Sequence, residues 1–184
     1  SAIKPILYYA ALENGMVSSS TFLSEPTTFM FSNEKVYSPA NYNDKYGNKN
    51  ITMAAALAFS DNIYAVKTHL FLGEDILVNT AKRMGIQSTL DPLPSLALGT
   101  CELSMLDFAR AYTTLANSGI KNELSFINRV EDFKGNVLYE KKLDNEMVLN
   151  GTSTNTNVYN LLLSESNVKL TELQSQIDKL TGEI

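Results

Sequence analysis

Two short groups of polar residues have the types and spacing that serine-based acyl transfer requires. The first group is Ser1 and Lys4, which are separated by two residues at the predicted start of a helix and therefore share one face. A serine hydroxyl becomes a good nucleophile when a base removes its proton, and a desolvated lysine amine can act as that base. A helix N-terminus also favours developing negative charge. Taken alone, the same spacing is typical of an N-cap serine followed by a solvated lysine.

The second group is Ser60, Asp61 and Asn62, at a predicted break between two helices. A short loop at this break can project Ser60 and Asn62 toward Ser1, so that Ser60 relays protons and Asn62 donates to a substrate carbonyl. Serine, aspartate and asparagine are also ordinary helix caps. The two groups together are more specific than either alone, because S-x-x-K and S-D-N occur with K-T-G as the signature of class A β-lactamases and penicillin-binding proteins.

Composition argues against several other kinds of site. The 184 residues include one histidine, His69, and one cysteine, Cys101, so neither a multi-histidine metal site nor an internal disulfide is expected. A cysteine protease would need those two residues as a pair, whereas a lone cysteine is usually buried and inert. The net charge of −5, without a basic run, argues against a nucleic-acid partner. No apolar stretch approaches the roughly 20 residues that cross a bilayer.

The elements that must position these residues are predicted to be mostly helical. Residues 16–50 contain turn-forming residues with little periodicity, which indicates a long loop with short strands or turns. The runs 126–131 and 136–140 predict a β-hairpin. A stripe of Leu and Ile over 170–184 predicts an amphipathic helix that packs against a core. Capping residues and glycine stops predict five helices, over residues 3–12, 53–59, 61–72, 74–84 and 105–117.

Around both polar groups the sequence resembles the transpeptidase domain of penicillin-binding proteins. Residues 1–15 are similar to its active-site helix, and residues 37–47 are similar to the loop that precedes the second motif. Residues 59–67 are similar to the second motif and its following helix. The segments 94–104 and 109–119 resemble the bifunctional, class A group. The resemblance implies an α+β fold of the β-lactamase and DD-transpeptidase type, with mainly the helical subdomain, a short β-hairpin and an incomplete sheet.

The resemblance also implies a role for each residue of the two groups. Ser1 would be the acyl-accepting nucleophile and Lys4 its general base. Ser60 would relay a proton to the leaving amine, and Asn62 would contact a substrate amide. The implied reaction is attack on the D-Ala-D-Ala bond of a peptidoglycan stem peptide, followed by cross-linking to a neighbouring stem-peptide amine. β-Lactams would trap the same serine, and no cofactor or metal is needed.

The third motif of the family, K-T-G on an edge strand, is not found. Residues 179–182 (Lys-Leu-Thr-Gly) contain these letters with one insertion, but they end a helical stripe and lack the strand context. We therefore expect a fragment, with residues 1–160 as part of a transpeptidase domain and residues 161–184 as a helical tail of uncertain origin. The parent protein is expected to be anchored at the extracytoplasmic face of the bacterial membrane. Apolar faces meant for a missing sheet are expected to cause self-association.

Two other functions remain open on the sequence. A sensor-type or inactive module of the same fold would be acylated by β-lactams without turnover, or would lack activity because the third motif is absent. A helical interaction protein would use Ser1, Lys4 and residues 60–62 only as caps and surface groups. Covalent labelling by penicillin, and its loss in Ser1→Ala, separates the transpeptidase and the acylated sensor-type module from the helical interaction protein.

Overall fold

The computed structural model describes residues 2–31, 34–142 and 145–150, together with residues 171 and 175. The described helices are α1 (Lys4–Glu13), α2 (Met53–Ala58), α3 (Asn62–Leu72), α4 (Glu74–Arg83) and α5 (Met105–Ala116), with 3-10 helices at Tyr42–Asp44 and Pro94–Leu98. The described strands are β1 (Thr21–Ser24), β2 (Phe29–Met30), β3 (Val36–Tyr37), β4 (Lys49–Thr52), β5 (Ile120–Lys121), β6 (Arg129–Glu131), β7 (Val137–Glu140) and β8 (Glu146–Met147). They form two-stranded antiparallel pairs, β1 with β4, β2 with β3, β5 with β8 and β6 with β7.

Helix α1 lies at the centre of the core because it is apolar on every side. All of its residues from Ile6 to Leu12 are buried. A helix without a polar face must be covered all round, and α1 contacts α2, α3, α4 and the 3-10 helix at Pro94–Leu98. Pro5 lies in the first turn, where its missing N–H breaks no helical hydrogen bond. The backbone that carries Lys4 is therefore held in place by three other α-helices.

Three helices end in the same backbone pattern, in which the two residues after the helix cap bond back to the last turn. Helices α1 and α4 place Gly15 and Gly85 in the left-handed position of this pattern, at φ values of 90° and 96°. Helix α2 places Ser60 there, at φ 54°. Glycine is the residue usually found at this position, because a Cβ atom is disfavoured in left-handed backbone. The α2–α3 junction thus holds a strained serine where glycine would be relaxed.

The predicted helices and hairpin agree with the structure to within a few residues. In the hairpin, the Asp132 carboxylate accepts hydrogen bonds from the backbone N–H groups of Lys134 and Asn136. The α+β class is confirmed, with helices at the core and short strands around them. Strand β8, which pairs with β5, is not among the elements that the sequence predicts. Two residues are too few to show a periodicity in the sequence, so β8 is recognised only by its pairing with β5.

Several sequence predictions fall outside the described residues. Ser1 is one of them, and helix α1 begins at Lys4 with Ile3 as its N-cap. The Leu and Ile stripe at 170–184, apart from residues 171 and 175, and the Lys-Leu-Thr-Gly segment at 179–182 also lie outside. The division at residue 160 stays a prediction for the same reason. None of the described helices combines the length and apolarity that crossing a bilayer requires.

His69 is a buried residue of α3. Its ring is fully buried, and Nε2 lies 3.1 Å from the carbonyl oxygen of Leu93, which joins α3 to the segment before Pro94. Burial lowers the pKa of the imidazole. Cys101 is half-buried, and burial raises the pKa of its thiol, so the thiolate that a nucleophile requires is disfavoured.

Two glycine substitutions test the packing of these helix ends. Gly85→Ala is expected to lower the free energy of unfolding by more than Gly15→Ala. Both place alanine in left-handed backbone, at a cost of about 1–2 kcal/mol, but only at Gly85 would the new Cβ lie 3.3 Å from Arg110 Cβ, while the space around Gly15 is open. Urea denaturation of both variants measures the difference. Equal losses would show that the α4–α5 contact does not constrain Gly85.

Candidate active site

Lys4 is the buried cation on which the candidate site is built. Its side chain is only 1% exposed. The Nζ atom donates hydrogen bonds to the Ser60 carbonyl oxygen at 2.7 Å, to Ser60 Oγ at 3.0 Å and to Asn62 Oδ1 at 2.7 Å. A protonated lysine amine has three hydrogens to donate, so these acceptors satisfy the whole ammonium group. Three of the four predicted site residues thus meet at one atom, while Ser1 lies outside the described residues.

The conformation of Ser60 directs two of these acceptors at Lys4. The N–H of Ser60 bonds to the Leu57 carbonyl and the N–H of Asp61 bonds to the Ala56 carbonyl, which closes the end of α2. This turn sets Ser60 in left-handed backbone, and both its carbonyl and its hydroxyl reach Lys4. A non-glycine residue in this conformation costs roughly 1–3 kcal/mol and persists only where its surroundings hold it.

Asp61 provides one part of that support. Its carboxylate is buried and accepts hydrogen bonds from Tyr64 N–H, from Ser24 Oγ–H and from Asn41 Nδ2–H. The bond to Tyr64 makes Asp61 the N-cap of α3, as its residue type suggested, and a carboxylate at this end also interacts favourably with the helix dipole. The bonds to Ser24 and Asn41 fasten the α2–α3 junction to β1 and to the loop before β4.

Asn41 provides the other part of the support for Ser60, and the sequence analysis assigned it no role. Its Oδ1 accepts from the backbone N–H of Asn62 at 2.7 Å and of Ile63 at 3.4 Å, while its Nδ2 donates to the Asp61 carboxylate and to the Lys45 carbonyl. The first N–H groups of a helix lack partners within the helix, so Asn41 caps α3 from a distant loop. In the sequence, Asn41 lies among turn-forming residues and is indistinguishable from an ordinary loop asparagine. Burial distinguishes Asn41 from an ordinary loop asparagine, and that burial is visible only in the structure.

The surroundings of Lys4 set its proton affinity. Burial lowers the pKa of the Lys4 amine from its usual 10.5 to about 8, and the negative charge of Asp61 opposes part of that shift. Burial dominates because a charged amine loses its hydration, whereas the Asp61 carboxylate is already bonded to three other donors. An amine with this pKa is partly neutral near physiological pH, which is the state that accepts a proton.

Comparison with known proteins identifies the family. The family model described as the penicillin binding protein transpeptidase domain matches residues 1–172. The chain belongs to this family. Penicillin-binding protein 2D of Bacillus subtilis is 51% identical over 150 residues, covering 81% of this chain and 22% of that protein. Penicillin-binding protein 1A of Aquifex aeolicus is 38% identical over 151 residues. Both relatives confirm the family predicted from the motifs. The chain spans about a fifth of the length of these curated relatives.

Solved structures confirm the predicted transpeptidase-like fold. The crystal structure of penicillin-binding protein 1A from Haemophilus influenzae superposes with a TM-score of 0.71 at 30% identity, over 78% of this chain and 21% of that one. Penicillin-binding protein A of Mycobacterium tuberculosis, solved as an imipenem acyl-enzyme complex, gives a TM-score of 0.75 at 17% identity, over 91% and 43% of the two chains. The helical core and the short strands of the described residues thus have the arrangement found in transpeptidase domains.

A titration of Lys4 tests the electrostatics of the site. We expect the Lys4 amine to titrate near pH 8, and we expect Asp61→Asn to move its pKa lower, because the carboxylate that favours the ammonium is removed. Asp44→Asn is the control, since Asp44 is an exposed carboxylate that makes no contact with Lys4. NMR of side-chain-labelled lysine gives both values, with Lys4→Met assigning the resonance. A Lys4 pKa that is the same in Asp61→Asn would contradict the coupling.

Asn41→Ala tests the distant cap of α3. We expect a loss of about 3 kcal/mol in the free energy of unfolding, because two helix N–H groups and the Asp61 carboxylate lose a buried partner together. Asn14→Ala removes one part-buried bond, to the Ala10 carbonyl, and should cost about 1 kcal/mol. Urea denaturation of both variants gives the comparison. A loss at Asn41 no larger than that at Asn14 would show that the network does not stabilise the junction.

Proposed function

We propose that this chain carries acyl-transfer residues of a peptidoglycan DD-transpeptidase, with Ser1 as the nucleophile and Lys4 as its general base. The observation that supports this best is the buried Lys4 amine, which is hydrogen-bonded to Ser60 and Asn62 and has a pKa of about 8. The family supplies the order of the motifs, and the geometry supports a lysine base that needs no histidine. A lysine base is active only when neutral, so the acylation rate should rise with pH through about 8 and level off above it.

The hydrogen bonds of Lys4 indicate how a proton would travel. A neutral amine keeps two hydrogens and gains a lone pair, so one of the three observed bonds must change when Lys4 loses its proton. The Ser60 carbonyl and Asn62 Oδ1 can only accept, whereas the Ser60 hydroxyl can turn and donate to the lone pair. Ser60 Oγ is therefore the partner of Lys4 that can exchange a proton with it, which supports the relay role.

The chemical steps balance with these groups alone. Ser1 Oγ would attack the carbonyl carbon of the D-Ala-D-Ala bond, and its proton would pass to neutral Lys4. The Ser60 hydroxyl would protonate the leaving nitrogen and be reprotonated by Lys4, so that the C–N bond breaks and D-Ala departs. An amine of a second stem peptide would then attack the ester carbon, and its proton would pass through Ser60 and Lys4 to Ser1 Oγ as the ester C–O bond breaks. The product is a new amide cross-link.

Asn62 is suited to hold the substrate during these steps. Its Oδ1 accepts from Lys4, and its Nδ2 donates to the Ala40 carbonyl at 2.7 Å. An amide nitrogen has two hydrogens, and the second is available for a carbonyl of the stem peptide. The side chain is half-buried, so one edge meets solvent. Asn62 thus links the Lys4 amine to the position where a substrate amide would lie.

The expected partners and location follow from this chemistry. Stem peptides ending in D-Ala-D-Ala would be the substrates, and β-lactams would acylate Ser1, as imipenem acylates the Mycobacterium tuberculosis relative. Stem peptides of the cell wall lie outside the cytoplasm, so the parent protein would act at the extracytoplasmic face of the membrane. Self-association stays a prediction, supported by exposed apolar side chains at Met105, Phe126 and Phe133.

Labelling with fluorescent penicillin tests the proposed function. We expect covalent labelling of the protein, its complete loss in Ser1→Ala, and at least a 100-fold slower rate in Lys4→Met, because the nucleophile loses its base. Ser19→Ala, at an exposed serine elsewhere on the surface, is the control and should label normally.

The outcomes separate the three functions considered. Labelling together with turnover of a D-Ala-D-Ala peptide indicates a transpeptidase. Labelling without turnover indicates a sensor-type module. A protein that unfolds cooperatively yet takes no label would exclude a transpeptidase and an acylated sensor, and would favour an inactive module or a helical interaction protein.

A further inference from the structure

A cavity of about 380 Å³ adjoins the candidate active site. It is bounded by the loop that runs from Asn41 to Gly47 and by the α2–α3 junction at residues 59–61. Ser60 connects the cavity to the candidate active site, because it lines the cavity and also accepts a hydrogen bond from Lys4. A ligand group in the cavity would therefore lie beside the residue that we propose to relay protons.

The lining of the cavity combines aromatic rings with one uncompensated positive charge. The rings are those of Tyr42, Tyr46 and Phe59. The charged groups are the Lys45 ammonium and the Asp61 carboxylate, and Asp61 is already bonded to three donors. Within the described part of the chain, the Lys45 ammonium forms no ion pair with an acidic side chain. An anionic group can therefore bind Lys45 without displacing a partner from it.

The backbone around the cavity is strained in a way that fixes its shape. Six described non-glycine residues have left-handed φ values, and four of them lie in or next to this lining, at Asn43, Asp44, Asn48 and Ser60. Such conformations persist where surrounding contacts hold them, and they are concentrated at binding and catalytic sites. The Lys45 carbonyl is one of those contacts, because it accepts a hydrogen bond from Asn41, the residue that also caps α3. The position of Lys45 is thus tied to the candidate active site.

We propose that this cavity is a substrate subsite that binds a carboxylate-bearing residue of the stem peptide through Lys45, with the aliphatic part of that residue against Tyr42 and Tyr46. This inference rests on the proposed function and adds a specificity to it. Lys45 selects an ionised carboxylate over the corresponding amide, because an amide lacks the negative charge that an ammonium requires. The aromatic rings contribute apolar contact to either form.

Peptide binding to the protein measures this selectivity. The background variant is Ser1→Ala, so that no acylation occurs, and the probes are two D-Ala-D-Ala stem peptides that differ only in one internal side-chain carboxylate or carboxamide. We expect Lys45→Met to weaken binding of the carboxylate peptide about 10-fold, as expected for loss of one charge-assisted hydrogen bond, and to leave the amide peptide unchanged. Lys45→Arg should restore the preference. Tyr42→Ala should weaken both peptides alike.

Controls separate failure of the subsite from failure of the proposed function. Lys49→Met removes an exposed lysine of β4 that does not line the cavity, and it should not change the preference. Penicillin labelling of Lys49→Met with Ser1 intact should match the unsubstituted protein. An unchanged preference in Lys45→Met, with penicillin labelling present in the unsubstituted protein, would overturn the subsite and leave the transpeptidase assignment standing. Loss of labelling in the unsubstituted, folded protein would overturn both.

Discussion

The candidate site depends on the cost of burying one positive charge. An ammonium group without water is stable only if all of its hydrogens meet acceptors, and Lys4 meets three, at Ser60 and Asn62. Those acceptors are not on the helix that carries Lys4. The α2–α3 junction must therefore hold a fixed distance and angle to α1, and much of the surrounding structure serves that requirement. The apolar α1, covered on all sides, fixes one partner, while Asp61 and Asn41 fix the other.

Asn41 and Asp61 act as one polar unit beneath the site. The Asn41 side chain accepts hydrogen bonds from the first two N–H groups of α3, and the Asp61 carboxylate accepts one from the third. The two side chains also bond to each other. Because each group has several partners, neither can turn without leaving a buried polar atom unsatisfied. The unit also connects to β1 through Ser24, so the short β1–β4 strand pair contributes to the position of the Lys4 acceptors.

Local chemistry made part of this structure predictable from sequence. Glycine stops and capping residues located the helices, and the Ser-x-x-Lys and Ser-Asp-Asn groups located Lys4, Ser60 and Asn62, which the structure brings together. What sequence could not show depends on contacts between distant residues. Asn41 meets Asn62 only after folding, and strands β5 and β8 are too short to carry a pattern of their own. The pKa of Lys4 could not be predicted from the sequence either, because burial sets it and burial is a property of the assembled core.

Ser60 occupies the position where helices α1 and α4 have glycine, and this places fold and chemistry in competition. Glycine at position 60 would relax the left-handed turn, so a search for thermal stability alone would favour it. The same change would delete the hydroxyl beside Lys4 and leave a buried amine with fewer acceptors. Any stability gained at this one turn would therefore come at the expense of the proton relay that we propose for Ser60. In engineered descendants of this domain, the residue at position 60 should reveal which of the two properties had been selected.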